Sequence, residues 1–239
     1  MKWFETWFDS KYYHILYKHR DEQEAIKFLD NITQYLNITK GKILDVGCGK
    51  GRHAKYFNEL GFNVVGIDLS LNSIAKAKLN ETQDLKFYKF DMRNVFKENS
   101  FNVVTNLFTS FGYFDNSLDE QKTINAMVKN LKKDGILIID FMNVKKIINN
   151  LVSKESKKIN SVEFYITREL KDNYILKNIS INDQDLSLKF QEKVHALTLI
   201  DFSEMLQKAS MSIVDIFGNY NLDDFNASQS ERLILIARK

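Results

Sequence analysis

The chain contains no proline and a single cysteine among its 239 residues. Average usage of about 5% would give about twelve prolines, so Gly, Asn and Asp must mark the turns here. One cysteine, Cys48, excludes an internal disulfide and fits a reducing compartment. The excess of positive charge is only +3, with basic and acidic residues interleaved. Dedicated nucleic-acid binders carry a denser basic stripe, so a nucleic-acid partner is not expected.

The sequence also lacks long apolar runs. None approaches the roughly 18 residues that a membrane-spanning helix needs. The opening MKWFETWFDS carries Glu5 and Asp9 and has no apolar centre, so it does not resemble a signal peptide. With 44% hydrophobic and 27% charged residues, the composition is that of a soluble globular protein. We therefore expect a cytoplasmic monomer or homodimer without a membrane partner.

Short apolar runs alternate with helical segments between residues 41 and 145. Five buried strands are predicted at KILDVG, FNVVGID, LKFYKFD, FNVVTNLF and GILIIDF. Two more, IVDIFGNY and RLILIAR, lie near the end of the chain. Strands separated by helices of ten or more residues indicate an α/β fold with a parallel, doubly wound sheet.

Two segments differ from this alternation. Residues 1–40 predict an N-terminal helical cap, with Asp21 as the N-cap of its second helix. Residues 146–199 predict an insertion, in which a Lys-rich helical segment runs to about residue 158. The runs VEFYITREL, NYILKNISI and SLKFQEKVHALTL then predict three strands of an antiparallel meander. Residues 41–145 and 200–239 form the predicted core domain.

The strongest motif is DVGCGKGRH, residues 45–53, between the first strand and a helix. Glycines there let a ligand approach the backbone, and the helix N-terminus offers N–H groups to an anion. A dinucleotide loop, G-x-G-x-x-G, would place a third glycine where Arg52 stands, which disfavours a nicotinamide dehydrogenase. The pattern present is D-x-G-x-G-x-G, beginning at Asp45. Taken alone, it is also compatible with a tight turn that binds nothing.

Two further acids follow predicted strands. Asp68 ends the second strand and Asp91 ends the third. A carboxylate in the Asp68 position can accept both ribose hydroxyls of a nucleoside. Because the carboxyl ends of parallel strands share one edge of the sheet, these acids and Asp45 predict one ligand site. Singly, Asp68 is also compatible with a helix cap and Asp91 with a solvated strand end.

The glycine motif resembles the first motif of class I S-adenosylmethionine-dependent methyltransferases. NLFTSFGYF, LKKDGILIIDF, SERLILIARK and YYHILYKHRDEQEA are similar to a branch of small bacterial members, particularly Bacteroidetes-type sequences. The resemblance covers nearly the whole chain. It implies a Rossmann-like, doubly wound, seven-stranded sheet, mostly parallel with an antiparallel C-terminal strand, plus an antiparallel β insertion that roofs the substrate pocket. It implies S-adenosylmethionine as cofactor and leaves the acceptor unspecified.

The resemblance also implies residue roles at the cofactor. Asp45 would order the loop and the cofactor's ammonium group, while loop amides face its carboxylate. Asp91 would meet the adenine amino group, with Met92 against the ring, and Cys48 is a spacer within the motif. The full set of expected cofactor-binding residues is Asp45, Gly47, Cys48, Gly49, Asp68, Leu69, Asp91, Met92, Asn106 and Leu107.

The stretch NLFTSFGYF, residues 106–114, follows the fourth strand, where this fold places methyl transfer. Its four aromatic residues and lack of charge suit a dry surround that tolerates a sulfonium cation. Tyr113 is a candidate catalytic residue and Phe111 a candidate substrate contact, although both rings are equally compatible with core packing. Asn106 is not followed by the Pro-Pro-aromatic pattern of enzymes that methylate amide or base nitrogens, which disfavours a DNA adenine substrate.

Three polar candidates lie in the cap and the insertion. Tyr13 is a candidate to face the sulfonium, and Arg20 to pair a substrate carboxylate bidentately. His195 is a candidate general base from the insertion. Helix packing is the alternative for the two cap residues, and a structural role is the alternative for His195. The four histidines are scattered and there is no cysteine cluster, so no metal is predicted.

Methyl transfer is a displacement that needs acceptor, methyl carbon and sulfur in line. Much of its acceleration can come from holding the reactants about 3 to 3.5 Å apart. We therefore predict a methyltransferase that acts mainly by positioning, on a small molecule with a carboxylate, amine or hydroxyl. Two alternatives stay open: a methyltransferase of RNA or protein, which a basic stripe beside the pocket would favour, and a non-catalytic cofactor-binding partner subunit.

Overall fold

A computed structural model describes residues 6–17 and 22–239. Its strands are β1 (Lys42–Val46), β2 (Asn63–Asp68), β3 (Leu85–Lys89), β4 (Phe101–Asn106), β5 (Leu131–Met142), β6 (Lys154–Ile159), β7 (Val162–Lys171), β8 (Tyr174–Asp183), β9 (Leu186–His195), β10 (Ser212–Phe217) and β11 (Arg232–Arg238). Its α-helices are α1 (Lys11–Leu16), α2 (Glu22–Tyr35), α3 (Arg52–Glu59), α4 (Leu71–Ala77), α5 (Ser117–Asn130), α6 (Val144–Asn149) and α7 (Leu199–Lys208). None of these helices is long and apolar enough to cross a membrane.

The main sheet has seven strands in the order β10-β11-β5-β4-β1-β2-β3. β11 runs antiparallel to both of its neighbours, and the other neighbouring strands pair in parallel. This confirms the predicted fold. The chain builds outward from β1 through β2 to β3, then crosses to the other side of β1 with β4. The carboxyl ends of β1 and β4 therefore meet at a switch in strand order, where open α/β sheets bind ligands.

Alternation along β1 gives the sheet two buried faces. Ile43 packs on the side of α2 and α3, in a cluster with Phe28 and Phe57. Leu44 points the opposite way, into a cluster that includes Ile124 of α5. Because both faces are covered by helices, apolar residues from both faces of the central strands are buried, as is usual in parallel sheets.

The second sheet consists of β6, β7, β8 and β9 in sequence order, each antiparallel to the next. The predicted meander is present, but the prediction of helix up to residue 158 is wrong. The helix α6 ends at Asn149, and Lys154–Ile159 forms an additional strand on β7. β6 is an edge strand with mostly exposed, charged side chains. Lysines are common on edge strands because they prevent pairing with strands of other chains. The many charged residues of β6 mask the apolar alternation by which a strand is recognised in a sequence.

Residues 6–17, which we call the cap segment, cover one face of the second sheet. Trp7, Tyr12 and Leu16 are buried in a cluster with Phe164 and Ile179. The indole Nε1 of Trp7 donates to Glu192 Oε1 at 2.6 Å. Ser10 caps α1 by accepting from the amide of Tyr12 at 3.2 Å. The N-cap predicted at Asp21 lies outside the described residues.

Candidate functional site

Three predicted site residues come together where parallel strands end. Asp45 lies on β1, next to Gly66 of β2 and Thr105 of β4 in the sheet register. Asp68 and Asn106 are the last residues of their strands. The chain then leaves β1 through residues 47–51, the glycine loop, whose amides at Gly47 and Cys48 donate to the carbonyl of Ile67 at 2.8 and 3.0 Å.

The glycine loop has left-handed backbone angles at each glycine, with φ of 74° at Gly47, 55° at Gly49 and 83° at Gly51. A Cβ added at Gly51 would lie 2.5 Å from Phe87, and one at Gly47 would lie 2.7 Å from Ser110. A side chain at Gly47 or Gly51 would therefore clash, so packing requires glycine at both positions. A Cβ at Gly49 would meet nothing within 4 Å. The loop thus presents bare backbone to open space at Gly49, which is what close approach of a ligand requires.

Asp68 connects the glycine loop to the next helix. Its Oδ2 accepts from the amide of Gly49 at 2.9 Å, and its Oδ1 accepts from the amide of Ser70 at 2.8 Å. Burial raises the pKa of Asp68, and these two amide hydrogen bonds oppose that shift. Each carboxylate oxygen keeps an acceptor position beyond its amide bond, so the group can still accept two hydroxyl donors.

Asp45 is a buried carboxyl with an incomplete set of partners. Its Oδ1 accepts from the hydroxyl of Thr105 at 3.0 Å, while Oδ2 has no hydrogen-bond partner. Burial raises the pKa of Asp45 from 3.8 to about 7. Asn106 donates through Nδ2 to the carbonyl of Val46 at 2.9 Å, and its Oδ1 is likewise buried without a partner. Two such acceptors beneath the glycine loop fit a ligand whose nearby group is a cation.

Asp91 has a partner that sequence reasoning missed. Arg93 binds its carboxylate through Nε and Nη2, the latter at 2.6 Å, and also reaches Asp119 at 2.8 Å. A contact between Asp91 and adenine stays a prediction. Met92 extends toward the glycine loop, since its Cε lies 3.5 Å from the position of a Cβ on Gly47.

The remaining loop candidates are apolar. Leu69 is half-buried directly after Asp68, and Leu107 is buried with an exposure of 3%. Cys48 is also buried, and burial raises the pKa of its thiol well above the ordinary value. A thiol held in its neutral form is a poor nucleophile, which agrees with its interpretation as a spacer.

The conformation of residues 106–114, which we call the aromatic loop, depends on Asp140 of β5. This carboxylate has no exposed surface. It accepts from the amide of Phe108 at 2.8 Å, from Arg232 Nε at 2.7 Å and from the hydroxyl of Tyr220 at 3.0 Å. The Asp140 carbonyl accepts from the amide of Thr109 at 2.9 Å. Phe108 and Thr109 have φ of 55° and 61°, so the network holds two consecutive residues in a conformation that side chains disfavour.

Two rings of the aromatic loop turn into the core. Phe111 has no exposed surface, and its ring centroid lies 5.6 Å from that of Phe202 of α7. Phe114 packs edge-on against Phe111 at 5.8 Å. Phe111 is therefore a packing residue, and the structure does not support its predicted contact with substrate. The sequence alone could not distinguish substrate contact from core packing for Phe111, because tertiary contacts decide which way a loop side chain points.

Tyr113 instead faces the cap segment. Its ring centroid lies 5.6 Å from that of Phe8, which in turn lies 5.1 Å from that of Tyr13. Tyr13 also packs edge-on against Trp7 at 5.7 Å. The hydroxyl of Tyr113 donates to the carbonyl of Thr109. The two tyrosines predicted from sequence thus belong to one partly buried aromatic cluster between the loop and the cap.

The cap segment also reaches the cofactor side of the site through Asp9. Its carboxylate accepts from the hydroxyl of Ser70 at 2.7 Å and from the side-chain Nδ2 of Asn72 at 2.9 Å. Ser70 follows Asp68 by two residues, so the cap closes over the start of α4. Sequence reasoning missed Asp9, because no local pattern links residues 61 positions apart. The predicted substrate residue Arg20 lies outside the described residues.

His195 has both ring nitrogens in use. Nδ1 lies 2.8 Å from Oε1 of the buried Glu120, and Nε2 lies 3.1 Å from Nδ2 of Asn173. With the Asn173 amide as donor, Nε2 accepts and Nδ1 donates to Glu120. The ring also stacks on Tyr174 at 4.8 Å. His195 therefore links the second sheet to α5, and its role as a general base stays a prediction. In the described part of the chain, no group of three or more His, Cys, Asp or Glu side chains is placed to hold a metal ion.

Comparison with known protein families places this site in context. The family model described as "Methyltransferase domain" matches residues 39–195. A putative methyltransferase of Geobacillus is 24% identical over 226 residues, covering 87% of this chain and 88% of its own. A putative methyltransferase of Bacillus subtilis is 36% identical over 104 residues, so the chain spans less than half of that relative, 42%.

Solved structures share the fold. An S-adenosylmethionine-dependent methyltransferase from Clostridium acetobutylicum superposes with a TM-score of 0.80 at 22% identity, over 95% of both chains. The structure of CalS10, an amino pentose methyltransferase from Micromonospora echinaspora with S-adenosylmethionine bound, superposes with a TM-score of 0.69 at 17% identity. That match covers 96% of this chain and 97% of CalS10.

The raised pKa of Asp45 gives a pH prediction. Burial raises that pKa from 3.8 to about 7, so the folded protein holds this proton more tightly than the unfolded chain. The contribution of Asp45 to stability is therefore full below about pH 4 and is lost as pH rises to about 7. The variant Asp45→Asn lacks this titration. Urea unfolding across that range should show the stability of the wild type falling relative to the variant, whereas parallel profiles would exclude titration of Asp45 in this window.

The position of Asp68 predicts a role in cofactor affinity. Asp68→Ala removes the acceptor of the Gly49 amide and the group available to two hydroxyl donors. Affinity for S-adenosylmethionine should fall at least about tenfold, or about 1.4 kcal/mol, by calorimetry. Asp84→Ala is the matched control, because Asp84 is exposed and precedes β3 at the other end of that strand. An unchanged affinity in Asp68→Ala would rule out the ribose assignment.

Proposed function

The chain belongs to the methyltransferase-domain family, its cofactor is S-adenosylmethionine, and we propose that it methylates a small-molecule acceptor. The observation that carries the proposal is the bare backbone of Gly49 beside the Asp68 carboxylate, facing open space at the switch in strand order. When bound, the cofactor supplies an electrophilic methyl group on a sulfonium. The protein's own residues then hold the reactants and exclude water.

We assign the cofactor contacts to the strand ends. Asp68 would accept the ribose hydroxyls through the lone pairs left by its two amide bonds. Asp45 would favour the cofactor's ammonium group through its buried charge, with Asn106 beside it. Asp91 and Met92 would lie on the adenine side. Four polar side chains and the thioether of Met92 thus lie along one edge of the sheet. This arrangement suits a ligand in which a nucleoside is attached to an amino acid, such as S-adenosylmethionine.

The acceptor side of the site is aromatic. Tyr13, Tyr113 and Phe8 form a partly buried cluster between the aromatic loop and the cap segment. Such rings tolerate a sulfonium and keep bulk water away from it, so the charge that disappears on transfer is not solvated by water. A base is not a required part of this arrangement when the acceptor is already deprotonated, so positioning would supply most of the acceleration.

The cover over the site favours a small acceptor. We propose residues 1–40 as the cap, 41–145 and 200–239 as the catalytic core, and 146–199 as the insertion that roofs the pocket. The similarly folded CalS10 acts on an amino pentose, a small molecule. From composition we further propose a cytoplasmic monomer or homodimer.

Label transfer tests the function. Incubation of the protein with methyl-labelled S-adenosylmethionine and a fractionated cell extract should move label into the small-molecule fraction. Asp68→Ala serves as the control and should transfer less label at limiting cofactor. Label in RNA or protein would contradict the small-molecule acceptor. Cofactor binding with no transfer into any fraction would indicate a non-catalytic partner subunit.

If the aromatic cluster lies on the acceptor side, changes in it should affect kcat more than cofactor affinity. Tyr13→Phe and Tyr113→Phe should each lower kcat, by about tenfold, more than they lower cofactor affinity, because we assign both tyrosines to the acceptor side. Tyr165→Phe is the control, since Tyr165 is exposed on the second sheet and away from this cluster. Equal losses in kcat and in cofactor affinity would argue against an acceptor-side role for either tyrosine.

A further inference from the structure

A cavity of about 270 Å³ lies at the edge of the main sheet opposite the glycine loop. It is bounded by the starts of β1 and β4, by the end of α2 and by β5. Its apolar floor comprises the half-buried side chains of Leu36 and Ile38, which lie over the buried side chains of Ile43, Phe62, Val103 and Ile136. Lys42 begins β1 and Val46 ends it, so at about 3.3 Å per residue the cavity is roughly 13 Å from the start of the glycine loop. We call it the basic pocket.

The rim of the basic pocket is strongly positive. Four of its lining side chains are cations, Lys40, Lys42, Lys133 and Arg238, against the single acid Asp134. This local excess of three positive charges equals the excess of +3 carried by the whole chain. All four cations are exposed. In the part of the chain that the structure describes, none of the four forms an ion pair, although lysines elsewhere do.

The pocket is shaped by an irregularity in β5. On β4 the pairing advances by two residues, from Phe101 to Val103. On β5 it advances by five residues over the same stretch, from Leu131 to Ile136, so β5 contains extra residues here. The extra residues bulge out at the pocket and include Lys133. Asp134 within this bulge has a φ of 60°, a conformation that L-residues disfavour. A β-bulge bends its strand and changes the direction of the side chains, and bulges are common next to functional sites. The bulge in β5 lies beside the cations of the pocket rim.

Apolar floor and cationic rim together specify a chemistry. We propose that the basic pocket binds a small organic anion, in which a carboxylate or phosphate ester is attached to an apolar body. The floor removes the apolar body from water, and the rim cations pair with the anionic group. The volume of about 270 Å³ lies just below the usual range for ligand cavities, about 300 to 1,000 Å³, which limits the ligand to a compact molecule. A polynucleotide would not use the apolar floor.

The test uses phenyl phosphate, with inorganic phosphate and phenol as partial probes, on the full chain. Backbone amide NMR should show phenyl phosphate shifting Gly41, Asn102 and Gly135 while leaving Gly49 unshifted. Phenyl phosphate should bind at least about tenfold more tightly than either partial probe. Affinity should fall as sodium chloride is added, because the rim is exposed to solvent.

Variants separate this site from others. Lys42→Gln and Lys133→Gln should each weaken phenyl phosphate binding at least about threefold, and about tenfold together. Lys171→Gln on the second sheet is the matched control and should not change it, since Lys171 is exposed and remote from the pocket lining. Affinity for S-adenosylmethionine should be unchanged in all four variants, so failure of the anion-site proposal is distinguishable from failure of the methyltransferase proposal.

Three results would overturn the proposal. Equal affinities for phenol and phenyl phosphate would show that the rim cations do not contribute to binding of the phosphate group. Shifts at Gly49 or Asp68 in place of those at Gly41 and Gly135 would place the ligand in the cofactor site. Binding of single-stranded RNA that depends on Lys42 and Lys133, without phenyl phosphate binding, would identify a nucleic-acid surface.

Discussion

The carboxylate of Asp140 is the interaction on which the candidate site depends. A charge without solvent exposure is costly unless it is paired and hydrogen-bonded, and Asp140 receives Arg232, Tyr220 and the amide of Phe108 at once. Since the Phe108 amide and the Thr109 amide are both bound to this one residue, the backbone leaves β4 in a left-handed conformation. The aromatic loop is therefore held from behind by β5 and β11.

Local signals allowed the fold and the cofactor edge to be predicted from sequence. Strand-ending acids and glycine spacing act within a few residues, so Asp45, Asp68 and the loop between them were found without tertiary information. The strand β6 was missed because edge strands tolerate lysine, and its alternation is hidden by charge. The pair Asp140 and Arg232 was missed because 92 residues separate them. Ring direction in the aromatic loop is also a tertiary property, which is why Phe111 and Tyr113 could not be told apart.

The two edges of the main sheet differ in the charges that they present. At the carboxyl ends, Asp45, Asp68 and Asp91 lie near the cations Lys50 and Arg52 of the glycine loop and the helix that follows it. At the amino ends, the rim of the basic pocket has four cations against one acid. This rim is exposed, so salt should weaken its attraction for anions. The nearly neutral overall composition concealed the local excess, because net charge contains no information on position.

The packing of the cap segment on the second sheet has a consequence for biosynthesis. Trp7 is translated more than 150 residues before its partners Phe164, Phe190 and Glu192. At about 5 to 20 residues per second, the apolar face of the cap stays without its final partners for roughly ten seconds or longer. The main sheet's first four strands can assemble in that interval. Closure of the cap is consequently a late event in the life of each new chain, and it coincides with completion of the second sheet.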